Sequence, residues 1–329
     1  EFLLDGQLGK VYNNVQFMAK INFSTAIPTS YRFIASISTF DYFKKNKLFS
    51  KDDKPAFNQK DERFLKLQVG LPFLSSKRAE FGLGIGKIED KYFQKNVIDF
   101  GKDKFDKSRY DLLGGSISFN GSTLNSRQYA TSGYSEALIA QIFIGKERFY
   151  PGEGATNGNK NGDKEHHSWL QLSYMKEKYH TMSEHWTLGW YLKALYASKN
   201  FSENYTATMM QAGEFSPTLH SKLTYNEAFR ANQFVGAGIR PIYRLNQMFH
   251  LRGEFYGFMP IYPIERNSLN KAYYGKAFSK FEYLGEISVV CQLPFGDISA
   301  YVNHYSSPKR EWNVGLSIGW QLFNYRFIE

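Results

Sequence analysis

The chain has 329 residues, enough for one large domain or two ordinary ones. Its net charge is +10, but the basic residues are spread along the chain without a dense run, which argues against nucleic-acid binding. Aromatic residues make up 17% of the chain, yet its mean hydropathy is −0.46. No run approaches the ~18 apolar residues of a membrane-spanning helix, so a helical membrane protein is excluded. Abundant aromatics, modest hydropathy and 27 glycines are instead typical of a membrane β-barrel wall.

Period-two alternation of apolar and polar residues predicts β-strands along the whole chain. In strand 79–92 the apolar residues are separated by Gly82, Gly84 and Gly86, and we expect these glycines to let a loop or plug approach the inner wall closely. Fourteen strands are predicted in chain order: 1–12, 13–26, 31–44, 62–74, 79–92, 109–122, 132–146, 166–179, 184–199, 233–245, 248–260, and three more around 283–293, 298–303 and 312–322.

The connections between the predicted strands alternate between short and long. Tight links occur near 27–30, 75–78, 181–183, 245–247 and 294–296, whereas 45–61, 93–108, 147–165, 200–232 and 261–280 are long and polar. Short periplasmic turns and long outer loops are the pattern of outer-membrane barrels. The sequence therefore predicts an all-β fold, a transmembrane antiparallel β-barrel spanning 1–329 as one domain in the outer membrane. An even number of strands places both chain ends on the periplasmic side.

Charged residues on the polar faces of these strands are predicted to line the lumen. They could line a conduction path or hold the long loop, and facing buried charges favour the structural role. These lumen-lining residues are Lys193, Arg240, Arg244 and Arg252, together with the acids Glu254 and Glu286.

The longest connection, 200–232, ends in Phe229-Arg230-Ala231 immediately before a strand. This resembles the BamA/TamA-like surface-antigen superfamily, in which a loop in the corresponding place carries a Val-Arg-Gly-Phe/Tyr motif whose arginine folds into the lumen. Ala231 stands here where glycine is usual. The resemblance implies that Arg230 tethers the loop inside the lumen, with Glu254 and Glu286 on the following strands as its partners.

A second resemblance covers nearly the whole chain. It is carried by TLNSRQYATSGYSEAL at 123–138, GKERFYPG at 145–152, NYTATMM at 204–210, YGKAFSK at 274–280 and LPFGDISAYVNHYSSPKREWNVGLSIGWQLFN at 293–324. These segments resemble the C-terminal barrel that follows a patatin-like phospholipase domain in some outer-membrane proteins. The resemblance implies sixteen strands in the complete protein, with two strands and a catalytic domain upstream of Glu1.

Three sequence patterns suggest catalysis or metal binding, and each has a simpler explanation. Gly315-Leu316-Ser317-Ile318-Gly319 matches the nucleophile elbow of serine hydrolases but lies inside an alternating strand. His304 and Ser306 share one strand face, as in a barrel lipase, but no orienting partner can be assigned to them, and a polar rim is the preferred interpretation. His166 and His167 point in opposite directions in a strand, so no metal site is predicted.

The function predicted from the sequence is that of a barrel that anchors, and translocates or displays, an upstream patatin-like lipid hydrolase. The alternatives are a BamA/TamA-type assembly or translocation pore, and a barrel lipase or deacylase using His304 and Ser306. No catalysis by this chain and no cofactor are expected. The expected partners are outer-membrane lipids, lipopolysaccharide, the upstream domain, and other outer-membrane or periplasmic proteins.

Overall fold

The fold was examined in a computed structural model of the chain. The structure describes residues 1–9, 11–24, 27–42, 58–74, 76–94, 104–152, 164–294, 296–307, 312–319 and 326–329. The predicted long connections 45–61, 93–108 and 147–165, and the predicted strand end at 320–322, lie largely outside these residues.

Eighteen strands are present in the described residues, fourteen of them in one sheet. The sheet strands are β1 (Phe2–Gln7), β2 (Tyr12–Phe23), β3 (Thr29–Tyr42), β4 (Asn58–Leu74), β5 (Lys77–Tyr92), β6 (Asp106–Ser122), β7 (Gly133–Tyr150), β8 (Lys164–Thr181), β9 (Trp186–Ala197), β12 (Gln233–Arg244), β13 (Phe249–Pro260), β16 (Glu282–Leu293), β17 (Gly296–Tyr305) and β18 (Trp312–Gly319). Two short hairpins lie outside the sheet, β10 (Gly213–Glu214) with β11 (Arg230–Ala231), and β14 (Ile264–Arg266) with β15 (Ala272–Tyr274).

Each strand of the large sheet pairs antiparallel with the next sheet strand along the chain. The prediction of fourteen antiparallel strands is therefore confirmed, with boundaries shifted by a few residues. Strands β7 and β8 have 18 residues each, more than the ~9–11 that cross a bilayer, so they extend the wall beyond the membrane. Among the described residues, no helix is long and apolar enough to span a membrane.

The two faces of the sheet differ as the alternation predicts. In β13 the apolar Leu251 and Phe255 are 43% and 50% exposed, whereas Arg252 and Glu254 between them are 3% and 5% exposed. Buried charges beside exposed apolar side chains are the reverse of the distribution in a soluble protein. The pattern is typical of a barrel wall that contacts lipid on its outer face and polar groups on its inner face.

The sheet curves around the connection between β9 and β12, residues 198–232, which we call the plug. Lys60 on β4 donates to the carbonyl of Met210 in the plug at 3.1 Å. On the other side, Glu286 on β16 lies 2.8 Å from the ring of His220, also in the plug. Because strands far apart in the sheet contact one segment, the wall encloses it. These features define a transmembrane β-barrel with a filled interior.

The residues near the chain end also lie inside the wall. The ring of Phe327 packs on the inner face of β5, where a Cβ added to Gly86 would meet it at 2.6 Å and one added to Gly84 at 3.0 Å. The expectation of a close approach is thus confirmed for Gly84 and Gly86, where the approaching group is Phe327. It is joined there by the rings of Phe143 and Phe64. Gly82 instead faces the wall side chains of Ser116 and Lys66.

Candidate functional site

The plug is built from short elements that a long irregular loop can form without a regular pattern. Helix α1 (Tyr205–Gln211) starts at Asn204, whose side chain accepts a hydrogen bond from the Ala207 amide at 2.9 Å and caps the helix. Two single-turn 3₁₀ helices follow at Ser221–Leu223 and Glu227–Phe229. β10 lies between α1 and these 3₁₀ helices, and β11, which follows them, pairs with β10 and leads into β12.

Arg230 lies inside the plug, 7% exposed, and its main partner is Glu214 directly opposite in the β10–β11 hairpin. Nη2 donates to Glu214 Oε2 at 2.8 Å, and Nη1 donates to the carbonyls of Met210 and Ala212 at 3.4 and 3.3 Å. The guanidinium also lies 4.7 Å from the ring centre of Tyr225. Arg230 therefore fastens the C-terminal end of the plug to its middle.

The predicted pairing of Arg230 with Glu254 and Glu286 is wrong. Glu254 is held by Arg252, two residues away on the same face of β13, and its Oε2 accepts from the Tyr256 hydroxyl at 2.5 Å. The hairpin register places Glu214 opposite Arg230, and neither wall glutamate forms an ion pair with it.

Glu286 fastens the plug to the wall through a residue that the sequence analysis did not single out. Its carboxylate lies 2.8 Å from His220 Nδ1 and accepts from the Thr218 hydroxyl at 3.1 Å. The His220 ring stacks on Tyr301 of β17 with 3.4 Å between ring centres. Glu286, His220 and Thr218 are buried, and Tyr301 is partly buried. No periodic pattern in 200–232 marks His220 as inward.

The arginines Arg240 and Arg252 are buried and connect the wall to the filling segments. Arg240 donates to the Pro217 carbonyl of the plug at 3.2 Å and is paired with Glu177 on β8. Arg252 donates to the carbonyl of Ala130, in the connection 123–132, at 2.8 Å. These contacts correspond to the structural role favoured for the lumen charges.

The other two predicted lumen residues behave differently. Lys193 on β9 points inward and donates to the Glu214 carbonyl at 2.9 Å. Arg244 has the same strand parity as Arg240 but lies at the end of β12, where Nη2 donates to the Glu184 carbonyl at 2.9 Å. It is therefore at the rim beside a turn, because alternation fixes the face of a residue but not its height.

The lumen is also filled from the end that carries the short turns. Tyr129 in the connection 123–132 is 8% exposed. Its hydroxyl lies 2.7 Å from the Ser299 hydroxyl on β17 and 3.4 Å from Nε2 of His220, the ring nitrogen that does not face Glu286. A series of buried hydrogen bonds thus connects the plug, the connection 123–132 and the wall.

At the long-loop end of the barrel, the plug is hydrogen-bonded to β5. Within the plug itself, two ionisable residues, Tyr205 and Glu227, are hydrogen-bonded to each other. Asn204 donates to the Tyr92 hydroxyl of β5 at 2.7 Å. The Tyr205 hydroxyl donates to Glu227 at 3.4 Å, and burial raises the pKa of both groups above their ordinary values.

His304 and Ser306 are not arranged as a base and a nucleophile. The His304 ring lies 4.7 Å from Trp312 and 5.9 Å from Tyr283, in an aromatic group on the outer face. The Ser306 hydroxyl donates to Glu282 and accepts from the Tyr283 amide at 2.9 Å. Ser317 lies inside the uninterrupted strand β18, so no elbow turn is formed there.

His166 and His167 do point in opposite directions, since His166 is exposed and His167 is 2% exposed. His167, however, lies 2.8 Å from Glu147 and 4.0 Å from Glu165. These three residues could hold a metal ion, a grouping that sequence spacing did not reveal. Glu147 already accepts from the Tyr110 hydroxyl at 3.1 Å, so hydrogen bonding accounts for its burial.

Comparison with known proteins identifies the fold and no closer relationship. No family model matches the sequence, and no curated protein matches it. Among solved structures, it is similar to BamA from Haemophilus ducreyi lacking POTRA domains 1–3, with 11% identity and a TM-score of 0.59. The match covers 96% of this chain but 63% of that one, less than two thirds.

A second match is BauA, the ferric preacinetobactin receptor from Acinetobacter baumannii, with 8% identity and a TM-score of 0.43, covering 92% of this chain and 49% of that one. The likeness to the BamA structure shows that the chain has a BamA-like outer-membrane β-barrel fold. The patatin-like resemblance has no counterpart among these structures.

Proposed function

We propose that the chain is a closed outer-membrane anchor that carries an upstream domain and does not conduct solutes freely. The observation behind this proposal is that three segments occupy the lumen, namely the plug, the connection 123–132 and residues 326–329. Each makes buried hydrogen bonds to the wall, through His220, Ala130 and the Phe327 amide. A pore for solutes would need this filling to move.

The upstream domain in this proposal is a patatin-like lipid hydrolase, which the barrel holds at the membrane and translocates or displays. The segments at 123–138 and 293–324, which resemble barrels that follow such domains, support this assignment. Outer-membrane lipids and lipopolysaccharide would surround the exposed apolar face. The start of β1 and the end of β18 would lie on the periplasmic side, whereas residues 326–329 lie in the lumen and not at that side as expected from the strand count.

Two measurements test the proposal. In planar bilayers the barrel is expected to stay closed, and a variant with 205–228 replaced by a short Gly-Ser linker is expected to conduct. Steady conductance with the plug in place would contradict the closed anchor. Outer membranes with the natural full-length protein should hydrolyse phospholipid, whereas membranes with residues 1–329 alone should not. The hydrolase assignment fails if the full-length protein shows no such activity.

A BamA-type assembly or translocation pore is the second candidate, and the fold likeness to the Haemophilus BamA structure favours it. In the described residues, β1 and β18 are the two ends of the strand order, which is where a client strand would pair. Photo-crosslinkers on the edges of β1 and β18 would trap nascent barrels if this candidate is correct. Crosslinks confined to the barrel itself would favour the anchor.

A further inference from the structure

A cavity of about 290 Å³ remains inside the barrel between the plug, the wall and residues 326–329. Its walls come from β3, β4, β8 and β9 on one side and from the plug on the other. Since a water molecule occupies ~30 Å³ of liquid, the cavity has room for roughly ten waters. A compact solute fits it, whereas a lipid or an extended peptide does not.

The cavity has more positive than negative side chains around it. Five cationic residues line it, against three carboxylates. The cationic residues are Lys60, Lys193, Lys222, Arg230 and Arg326, and the carboxylates are Glu62, Glu214 and Glu329.

The carboxylates are already engaged by other groups. Glu214 accepts from Arg230 at 2.8 Å and lies 4.0 Å from Arg326. Glu62 accepts from the backbone amide of Phe327 at 2.6 Å. Glu329 lies 3.3 Å from Lys66, which is not part of the cavity lining.

Two lysines on opposite parts of the lining have carbonyl partners instead. Lys60 Nζ donates to the Met210 carbonyl at 3.1 Å, and Lys193 Nζ donates to the Glu214 carbonyl at 2.9 Å. Within the described part of the chain, neither ammonium has a carboxylate within 4.0 Å. A cation enclosed with only neutral hydrogen-bond partners is costly. For Lys60 part of that cost is offset by the buried Asp90, which lies opposite it in the register of β4 and β5. An anion in the cavity would offset the remainder and would bring a negative charge to Lys193.

We propose that this cavity binds a compact anion of the phosphate class that carries two or more negative charges. Lys60 and Lys193 contact it as ammonium donors from β4 and β9, and Arg230 of the plug offers its Nε, which has no hydrogen-bond partner within the described part of the chain. Ser38 adds a hydroxyl from the wall, and Gln171 adds a side-chain amide that also donates to the Glu329 carbonyl. Because both plug and wall contribute, the bound anion holds the plug in the lumen. This proposal does not depend on the identity of an upstream domain.

The test uses residues 1–329 folded in detergent, with inorganic pyrophosphate as the probe. We expect one pyrophosphate per barrel by calorimetry, and a higher melting temperature than in sodium chloride of equal ionic strength. Lys193→Gln and Lys60→Gln should each weaken pyrophosphate binding at least about tenfold, as expected for the loss of one charge-assisted hydrogen bond. Lys276→Gln is the matched control, since it removes the same charge from an exposed residue.

Several outcomes overturn the proposal. One is a parent barrel that gains no more stability from pyrophosphate than from chloride; another is a Lys276→Gln variant that weakens binding as much as Lys193→Gln. Heat-modifiable mobility reports whether each variant is folded. If Lys193→Gln does not fold, Lys193→Arg is used instead. This variant keeps the charge and should retain pyrophosphate binding, so a folded Lys193→Arg barrel that does not bind would also overturn the proposal.

Discussion

The guanidinium of Arg230 lies 2.8 Å from the carboxylate of Glu214, and both residues belong to the plug. The ion pair therefore closes the plug on itself, while separate contacts fasten the plug to the wall. Internal closure and wall attachment can be tested independently because they use different residues.

Replacing Arg230 with Ala should destabilise the folded barrel. It leaves Glu214, whose side chain is 14% exposed, with only the more distant Arg326 at 4.0 Å as a charged partner. Removing one member of a buried pair costs ~3–5 kcal/mol, and Arg326 should keep the loss near the lower value. Urea titration read by heat-modifiable mobility measures this loss. In a double-mutant cycle, Arg230→Ala should couple with Glu214→Gln and be additive with Glu254→Gln. Stronger coupling to Glu254 than to Glu214 would show that Arg230 pairs with Glu254, as the sequence predicted.

Replacing His220 with Ala should loosen the plug from the wall. It removes the stacking on the partly buried Tyr301 and the contact with the buried Glu286. Limited proteolysis should then cut within 212–228 faster than in the parent. His166→Ala, at an exposed position on the outer side of β8, serves as the control and should leave the cutting rate unchanged. Equal protection of the plug in both variants would show that His220 does not hold it.

Gly86→Ala should destabilise the barrel because the added Cβ would lie 2.6 Å from the Phe327 ring. Such overpacking costs ~1–3 kcal/mol. In Gly285→Ala, where the nearest atom would be a Phe255 ring carbon at 3.6 Å, the change should be small. Thermal melting in detergent gives the comparison. If the contact with Phe327 causes the loss of stability, Gly86→Ala should have little effect in a Phe327→Ala background. If the two losses of stability are additive, the cause lies in contacts of Gly86 with the wall.

Leu83→Arg should weaken folding into a bilayer. Leu83 is 69% exposed near the middle of β5, and an arginine at the membrane midplane costs ~2–4 kcal/mol. Leu269 is 63% exposed between β14 and β15, outside the sheet, and Leu269→Arg should be close to neutral. Folding titrations into phospholipid vesicles measure both. Equal losses would mean that the apolar band on β5 does not face lipid.

Glu227 should make the stability of the plug depend on pH. Burial raises the pKa of its carboxyl above the ordinary value, although Arg266, Tyr205 and Arg230 favour the charged form. A raised folded-state pKa means that its contribution is present below the unfolded-state pKa and is lost as pH rises through the folded-state pKa. Glu227→Gln should therefore stabilise the barrel relative to the parent more at neutral than at acidic pH. Melting curves across this range test it, and a pH-independent difference would contradict the burial argument.

The sequence by itself determined the wall. Neighbouring Cβ atoms in a strand point to opposite faces, so the spacing of Leu251, Arg252 and Glu254 was sufficient to assign each to lipid or lumen. The same local geometry gave the number of strands and the inward direction of Lys193 and Arg240. The backbone cannot leave its hydrogen bonds unmade in lipid, which is why this pattern implied a barrel.

Only the tertiary structure decided what fills the barrel. The plug has no repeating geometry, so the positions of Arg230 and His220 depend on contacts with strands distant in sequence. Arg244 showed the limit of alternation, because its height on the wall is set by the strand end. The cavity could not be predicted from the sequence either. Its lysines lie on separate strands and in the plug, and only the curvature of the wall brings their charges together.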